Sequence, residues 1–246
     1  MEVVFDDGST ANTSFDDETV NPFTDLMPAL VATLLLMLVV SRLFFVEVMG
    51  GNVDLRRVCA AKQQIVRSLA ASMQDKVDLS NEKACREIEI VLHGQGKSIR
   101  ITNEPTSQRF SFEGDTIFEP NKAVLLVGGE AVLQNFRSSI VPLQKAFDEV
   151  QILGHTDSDG DSRTNLALGA QRAMTVYDQM VGPLGVDPVS TLVSVSSFGF
   201  YDPVNRRPDT TFSWVSLKAA NSSELLKQRN RRIEILIKYK FGRLSL

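Results

Sequence analysis

The stretch from Gly154 to Ala173, GHTDSDGDSRTNLALGAQRA, reads as a strand end, a loop and a helix in succession. Before it, Val150 to Leu153 is an apolar run of strand length that meets a glycine, and Thr156 to Ser162 is a run of turn residues. Leu166, Ala170, Ala173, Val176, Tyr177 and Met180 then recur at spacings of three and four. That period predicts a helix with one buried face and leaves the Gln171/Arg172 side free to look toward the loop. Asp157 therefore sits in the loop and Arg172 on the helix. A guanidinium fork takes a carboxylate bidentately and a carboxylate takes an ammonium, so the pair fits the two charged ends of an amino acid. The same two residues also fit a plain Asp157–Arg172 ion pair that ties loop to helix.

Working outward, Asn230-Arg231-Arg232-Ile233-Glu234-Ile235 echoes this stretch near the other end of the chain. Together they resemble the peptidoglycan-binding domain of the OmpA family. The matching residues are Gly154, His155, Thr156, Asp157, Gly160, Asn165, Leu168, Arg172, Ala173 and Val176, then Asn230, Arg231, Arg232 and Glu234. The resemblance covers about Phe110 to Lys240. It implies that Asp157 and Arg172, with Thr156 and Asn165 from the same signature, hold the diaminopimelate of a peptidoglycan stem peptide. Gly169 departs from the serine usual in the family, and glycine is a poor helix residue.

A chain of 246 residues, 43% hydrophobic and 23% charged, is long enough for one full domain and about a hundred residues of other work. The net charge of −4 offers no case for nucleic acid. Glu2, Asp6, Asp7, Asp16, Asp17 and Glu18 precede any lysine or arginine, so residues 1–20 read as a disordered acidic tail. The two cysteines, Cys59 and Cys85, are too few for a disulfide scaffold. Outside the cytoplasm they can form one bridge between a helix and the following strand; otherwise they are two half-buried thiols. Two histidines do not support a zinc site or a histidine triad, and His155 reads as a loop-packing residue. No nucleophile–base set, phosphate loop or metal cluster stands out, so the chain does not read as an enzyme and implies no cofactor.

Leu26 to Val40, LMPALVATLLLMLVV, carries no charge, and apolar residues continue past Arg42 to Val46. Residues 21–47 are expected to form a transmembrane helix, apolar on all sides and long enough for about 30 Å of hydrocarbon. No basic segment precedes it and no small-residue cleavage site follows, which reads as a retained signal anchor. Asp25 opens this helix. It fits an interfacial acid favoured by the helix dipole, and equally an ionisable carboxyl that gains and loses an ion inside a membrane core. Basic residues follow the helix at Arg42, Arg56, Arg57, Lys62 and Arg67, a bias that by itself places the C-terminal domain in the cytoplasm.

A short tail, one membrane helix opening with Phe23-Thr24-Asp25-Leu26-Met27, a linker helix and an OmpA-type domain together resemble the B subunit of flagellar stators. Phe118-Glu-Pro-Asn ahead of Gly129-Glu-Ala-Val-Leu-Gln, and the placement of the two cysteines, resemble more closely the MotB-like subunits of Zorya anti-phage systems. Pro28 stands where such chains tend to have a small polar residue, and it tightens the first turn. This resemblance implies an inner-membrane protein with its N-terminus in the cytoplasm and its domain in the periplasm, against the charge bias. It further implies a homodimer inside a MotA-like ring of five multi-pass subunits, with protons or sodium crossing at Asp25. A passive peptidoglycan tether is the plainer alternative.

Residues 48–85 are expected to form the linker, with Val58, Ala61, Ile65, Leu69 and Met73 as one apolar stripe suited to a partner or to the domain itself. Residues 86–246 are expected to form the domain. Short strands are expected at 87–92, 97–101 and 110–112, a helix at 129–147 interrupted by Pro142, and strands at 191–195 and 231–240. The polar insert from Tyr201 to Lys227 holds Trp214, the only tryptophan. The sum is an α/β sandwich of order β-α-β-α-β with added strands, its helices on one face of a mixed sheet.

Overall fold

In the computed structural model, residues 22–75, 89–94, 97–206 and 211–241 are described, with side chains at 27–42 and from 55 onward. The acidic tail, Cys85 and the side chain of Asp25 lie outside that set. By contacts the chain divides into two units, residues 1–49 and 50–246.

One helix, α1 (Pro22–Met73), runs through the stretch expected as a membrane helix and into the one expected as the linker. It closes with Gln74 in the left-handed region at φ 59°; the Gln74 amide donates to the Ala71 carbonyl and the Asp75 amide to that of Ala70. Those two bonds satisfy carbonyls the helix would otherwise leave open, and they fix its end at Met73. From Met27 to Arg42 every side chain is exposed. Among the described residues no helix is long and apolar enough to cross a membrane; this run amounts to about 24 Å at 1.5 Å per residue.

From Val58 to Ala70 the same helix buries one stripe, with Ile65 and Leu69 fully enclosed in the domain core. The spacing of the stripe is the one read from the sequence, and its partner is the chain's own domain. Lys62 is 1% exposed, bonds the carbonyls of Glu104 and Pro105, and lies 5.6 Å from the Tyr239 ring centroid. Burial pulls its ammonium down to about 8, with Glu104 opposing the shift. Cys59 is not a free thiol.

The domain is built on a six-stranded sheet. Its strands are β1 (Glu89–Gly94), β2 (Lys97–Asn103), β3 (Ser107–Glu113), β4 (Phe147–His155), β5 (Leu192–Gly199) and β6 (Arg232–Tyr239), in the spatial order β1-β2-β3-β6-β4-β5. Only β4 and β5 pair in parallel. The last strand thus lies between β3 and β4, and the mixed sheet expected from sequence is present. Strand alternation puts Ile101, Phe110, Ile235 and Ile152 in one row across four strands, all 0% exposed. Phe136 of α3 (Val127–Ile140) meets Phe110 and Phe112 edge-on at 4.8 and 5.3 Å. Pro142 ends α3 as expected, and the chain passes through a 3₁₀ segment, Val141–Ala146, into β4.

The helix after the signature loop, α4 (Ser162–Met180), is capped by the Asp161 carboxylate, which accepts from the Thr164 amide at 2.9 Å. Its inward face differs from the expected one. Leu166 and Ala170 are exposed, while Asn165, Gly169 and Arg172 are buried together with Ala173, Val176 and Met180. A Cβ at Gly154 would meet the Gly169 carbonyl oxygen at 2.0 Å, and a Cβ at Gly169 would meet the Ser197 hydroxyl at 2.3 Å. The helix therefore lies directly on the backbone of β4 and against β5. Gly169, read from the sequence as a helix weakness, is required by this close approach.

Candidate functional site

The site forms where the loop after β4 meets the start of α4, the short helix α2 (Gly114–Ile117) and the entry to β6. Thr156 donates its amide to the Gly199 carbonyl at 2.8 Å and its hydroxyl to the Asp157 carbonyl at 3.0 Å. Asn165 donates its side-chain amide to the Asp159 carbonyl at 2.7 Å. Both residues are buried and hold the loop in shape. One Asp157 carboxylate oxygen accepts the Asp159 amide at 2.9 Å, so the loop itself aims this acid.

Asp157 and Arg172 do not form an ion pair. The second Asp157 oxygen takes Arg231 at 2.6 Å. Arg231 also donates to Asp115 and to Glu224, each at 2.8 Å from its Nη2. Three carboxylates on three segments thus converge on one guanidinium. The Asp115 bond leads the effects that raise its pKa above the usual arginine value. Arg231 belongs to the signature echo and was visible there; Asp115 and Glu224 carried no sequence signal.

Arg172 is 3% exposed. Its Nε donates to the Lys122 carbonyl at 2.9 Å, its Nη2 to the Glu119 carbonyl at 3.5 Å, and its guanidinium carbon lies 5.2 Å from the Phe118 ring centroid. Gly114 faces it: a Cβ there would stand 3.5 Å from Arg172 Nη1. Burial pushes this guanidinium below its ordinary pKa; Asp115 and Asp157 oppose the shift and Arg231 adds to it. Among the described residues no carboxylate lies within ion-pair distance of it. A buried cation held only by carbonyls and a ring is costly unless an anion joins it.

His155, next in the signature, packs as expected. It is 1% exposed and stacks on Phe198 at 5.3 Å, with its nitrogens 3.6 Å from Asp202 and Glu234. Glu234 also takes Arg109 and, at 2.7 Å, Arg232. Burial raises the Glu234 carboxyl, but the neighbouring His155 and the charges of Arg232 and Arg109 more than offset this and hold it well below the usual range. Among the described residues no group of acids, histidines or cysteines is arranged to hold a metal.

A strand, a signature loop, a helix that carries a buried arginine, and a returning central strand make up the site. Residues 117–211 match the OmpA family. The match stops short of Arg231, so the residue that joins the site's carboxylates lies beyond it. Outer membrane protein A of Serratia marcescens is 28% identical over 132 residues, which cover 54% of this chain and 35% of that protein. Outer membrane protein A of Escherichia fergusonii is 30% identical over 149 residues, 58% of this chain and 59% of that protein. The chain therefore spans between about a third and three fifths of the length of these relatives. A solved MotB-like protein from Desulfovibrio vulgaris superposes with a TM-score of 0.49 at 17% identity, covering 76% of this chain and 99% of that one. The periplasmic domain of Helicobacter pylori MotB gives 0.48 at 19% identity, covering 65% and 91%. Likenesses of that size add nothing to the strand order and side chains above.

Proposed function

We propose that the domain binds peptidoglycan through the diaminopimelate of its stem peptides, with Asp157 taking the ligand ammonium and Arg172 its carboxylate. Arg231 keeps Asp157 aimed and adds positive charge beside Arg172. The observation that carries this reading is the buried Arg172 with no carboxylate at ion-pair distance among the described residues. A ligand carboxylate completes its bonding bidentately. The test is co-sedimentation of the full chain with purified peptidoglycan. Asp157→Asn and Arg172→Gln should each lower the bound fraction about ten-fold, the worth of one charge-assisted bond. Binding at wild-type strength in both variants rejects the reading.

The finer proposal is a B-type subunit of an ion-driven inner-membrane motor, used in phage defence. Residues 21–47 would cross the membrane with the N-terminus inside; the support is the uncharged run Leu26–Val40, whose described side chains are exposed on every side, an arrangement suited to lipid. Two copies would stand within a multi-pass ring, and protons or sodium would pass at Asp25. A bridge from Cys59 to Cys85 would tie α1 to the segment that follows it. Asp25→Asn, compared with wild type at equal membrane level and dimer content, should abolish biological activity. Full activity would leave a passive wall tether.

A further inference from the structure

Away from this site, the face of β1, β2, β3 and β6 opposite the apolar core carries a trough of about 390 Å³. Its volume comes from small residues. Arg100, Ser111 and Glu234 stand in one row across β2, β3 and β6, so a serine lies between long side chains, and Ser98 lies beside Glu113. One wall is the loop from Asp202 to Arg206, which is fixed in place: the Val204 amide donates to Asn230 at 3.0 Å, and Asn230 is itself anchored to Ala220 and Asn221. Arg229 completes that wall.

The charges of the trough fall into two groups. On the floor, Arg109 and Arg232 are engaged by Glu234, and Arg100 by Glu89 at 3.1 Å. On the wall, Arg206 donates to the Tyr201 carbonyl at 2.5 Å and lies 5.2 Å from the Phe212 ring centroid, with no carboxylate at ion-pair distance among the described residues. Arg229 likewise has none. Two guanidiniums with no carboxylate at ion-pair distance among the described residues thus line one polar cavity, with Asp202, held by Arg232, on the same wall. Among the described residues Val91, Pro203 and Val204 are its only apolar lining, which disfavours a lipid tail or a nucleobase. The hydroxyls of Ser98, Thr102 and Ser111 and the carboxylate of Glu113 suit a ligand rich in hydroxyls. The volume lies toward the low end of small-molecule sites, about 300–1,000 Å³.

We propose that this trough is a second ligand site, separate from the Asp157 site, for a small anionic sugar whose carboxylate or phosphate is taken by Arg206 and Arg229. Titration calorimetry on the full chain with D-glucuronate, glucose 6-phosphate and glucose tests it. At least one of the two anionic sugars binds, with glucose about ten-fold weaker or more, the worth of one charge-assisted pair. Binding of glucuronate alone assigns a carboxylate ligand, and of glucose 6-phosphate alone a phosphate. The double variant Arg206→Ala/Arg229→Ala weakens the anions by about ten-fold or more, while diaminopimelate titrates as in wild type. Ser111→Tyr, which fills the floor and removes no charge, weakens them too. No binding by either anion, equal binding of glucose, or full-strength binding in either altered protein overturns the proposal.

Discussion

Arg231 and Arg232 are consecutive residues that serve opposite regions of the domain. Arg231 faces the loop rim, where its side chain keeps 20% exposure and its partners Asp115 and Glu224 are themselves open to water. Arg232 enters the sheet face, where its side chain and that of Glu234 are 6% and 8% exposed. The rim thus holds exchangeable charges around a buried arginine that lacks an anion among the described residues, whereas on the sheet face Glu234 pairs with both Arg109 and Arg232. One region is arranged to receive something and the other to hold itself together.

The largest expected effect comes from breaking the second region. Glu234→Ala removes the carboxylate shared by Arg109 and Arg232 and leaves the buried Arg232 only Asp202 at 3.5 Å, which should cost about 3–5 kcal/mol, read by urea denaturation. A loss below about 1 kcal/mol would show the cluster to be no more than a surface network. Next, Gly154→Val forces α4 off β4 and should cost about 1–3 kcal/mol by overpacking; unchanged melting would mean the helix is free to shift. Arg231→Gln, in the rim, should cost only about 1 kcal/mol of stability yet lower peptidoglycan co-sedimentation about ten-fold. If its stability cost matched that of Glu234→Ala, the contrast between the regions would fail.

Acid titration sharpens the same contrast. The Glu234 carboxyl is held below its unfolded value, so its stabilisation is complete above about pH 4.5 and is lost as the pH falls through the lower folded value. Glu234→Gln should flatten that part of the stability profile. The smallest effect involves Lys62, whose ammonium is lowered from 10.5 to about 8. The unfolded chain binds more protons between those values, so stability should rise with pH across that window. Lys62→Met should remove the rise, as measured by urea midpoints at pH 7.5 and 10.

Much of the fold was legible because its signals were local. Pro142 and the apolar stripe of α1 each act within a few residues, and they mark the end of α3 and the face that α1 buries. What escaped is settled by distant contacts. Arg172 and Asp157 were read as facing partners, but the spacing gave no view of Arg231, which arrives 74 residues after Asp157 and takes its carboxylate. Leu166 and Ala170 fit a helical period yet lie outside the buried face, because the Gly154–Gly169 approach rotates α4 toward its glycine side. No pattern in a single sequence marks two glycines as neighbours across a strand and a helix.

The position of β6 has a consequence for the making of the protein. The strand emerges last from the ribosome among those described, yet it fills the gap between β3 and β4. Until it is synthesised, the earlier strands form two separate pieces, each with an unpaired edge of the kind that invites wrong pairing. Arg231 arrives only with it. Sheet closure and completion of the rim are therefore a single late event, in which pairings of long sequence separation must form together.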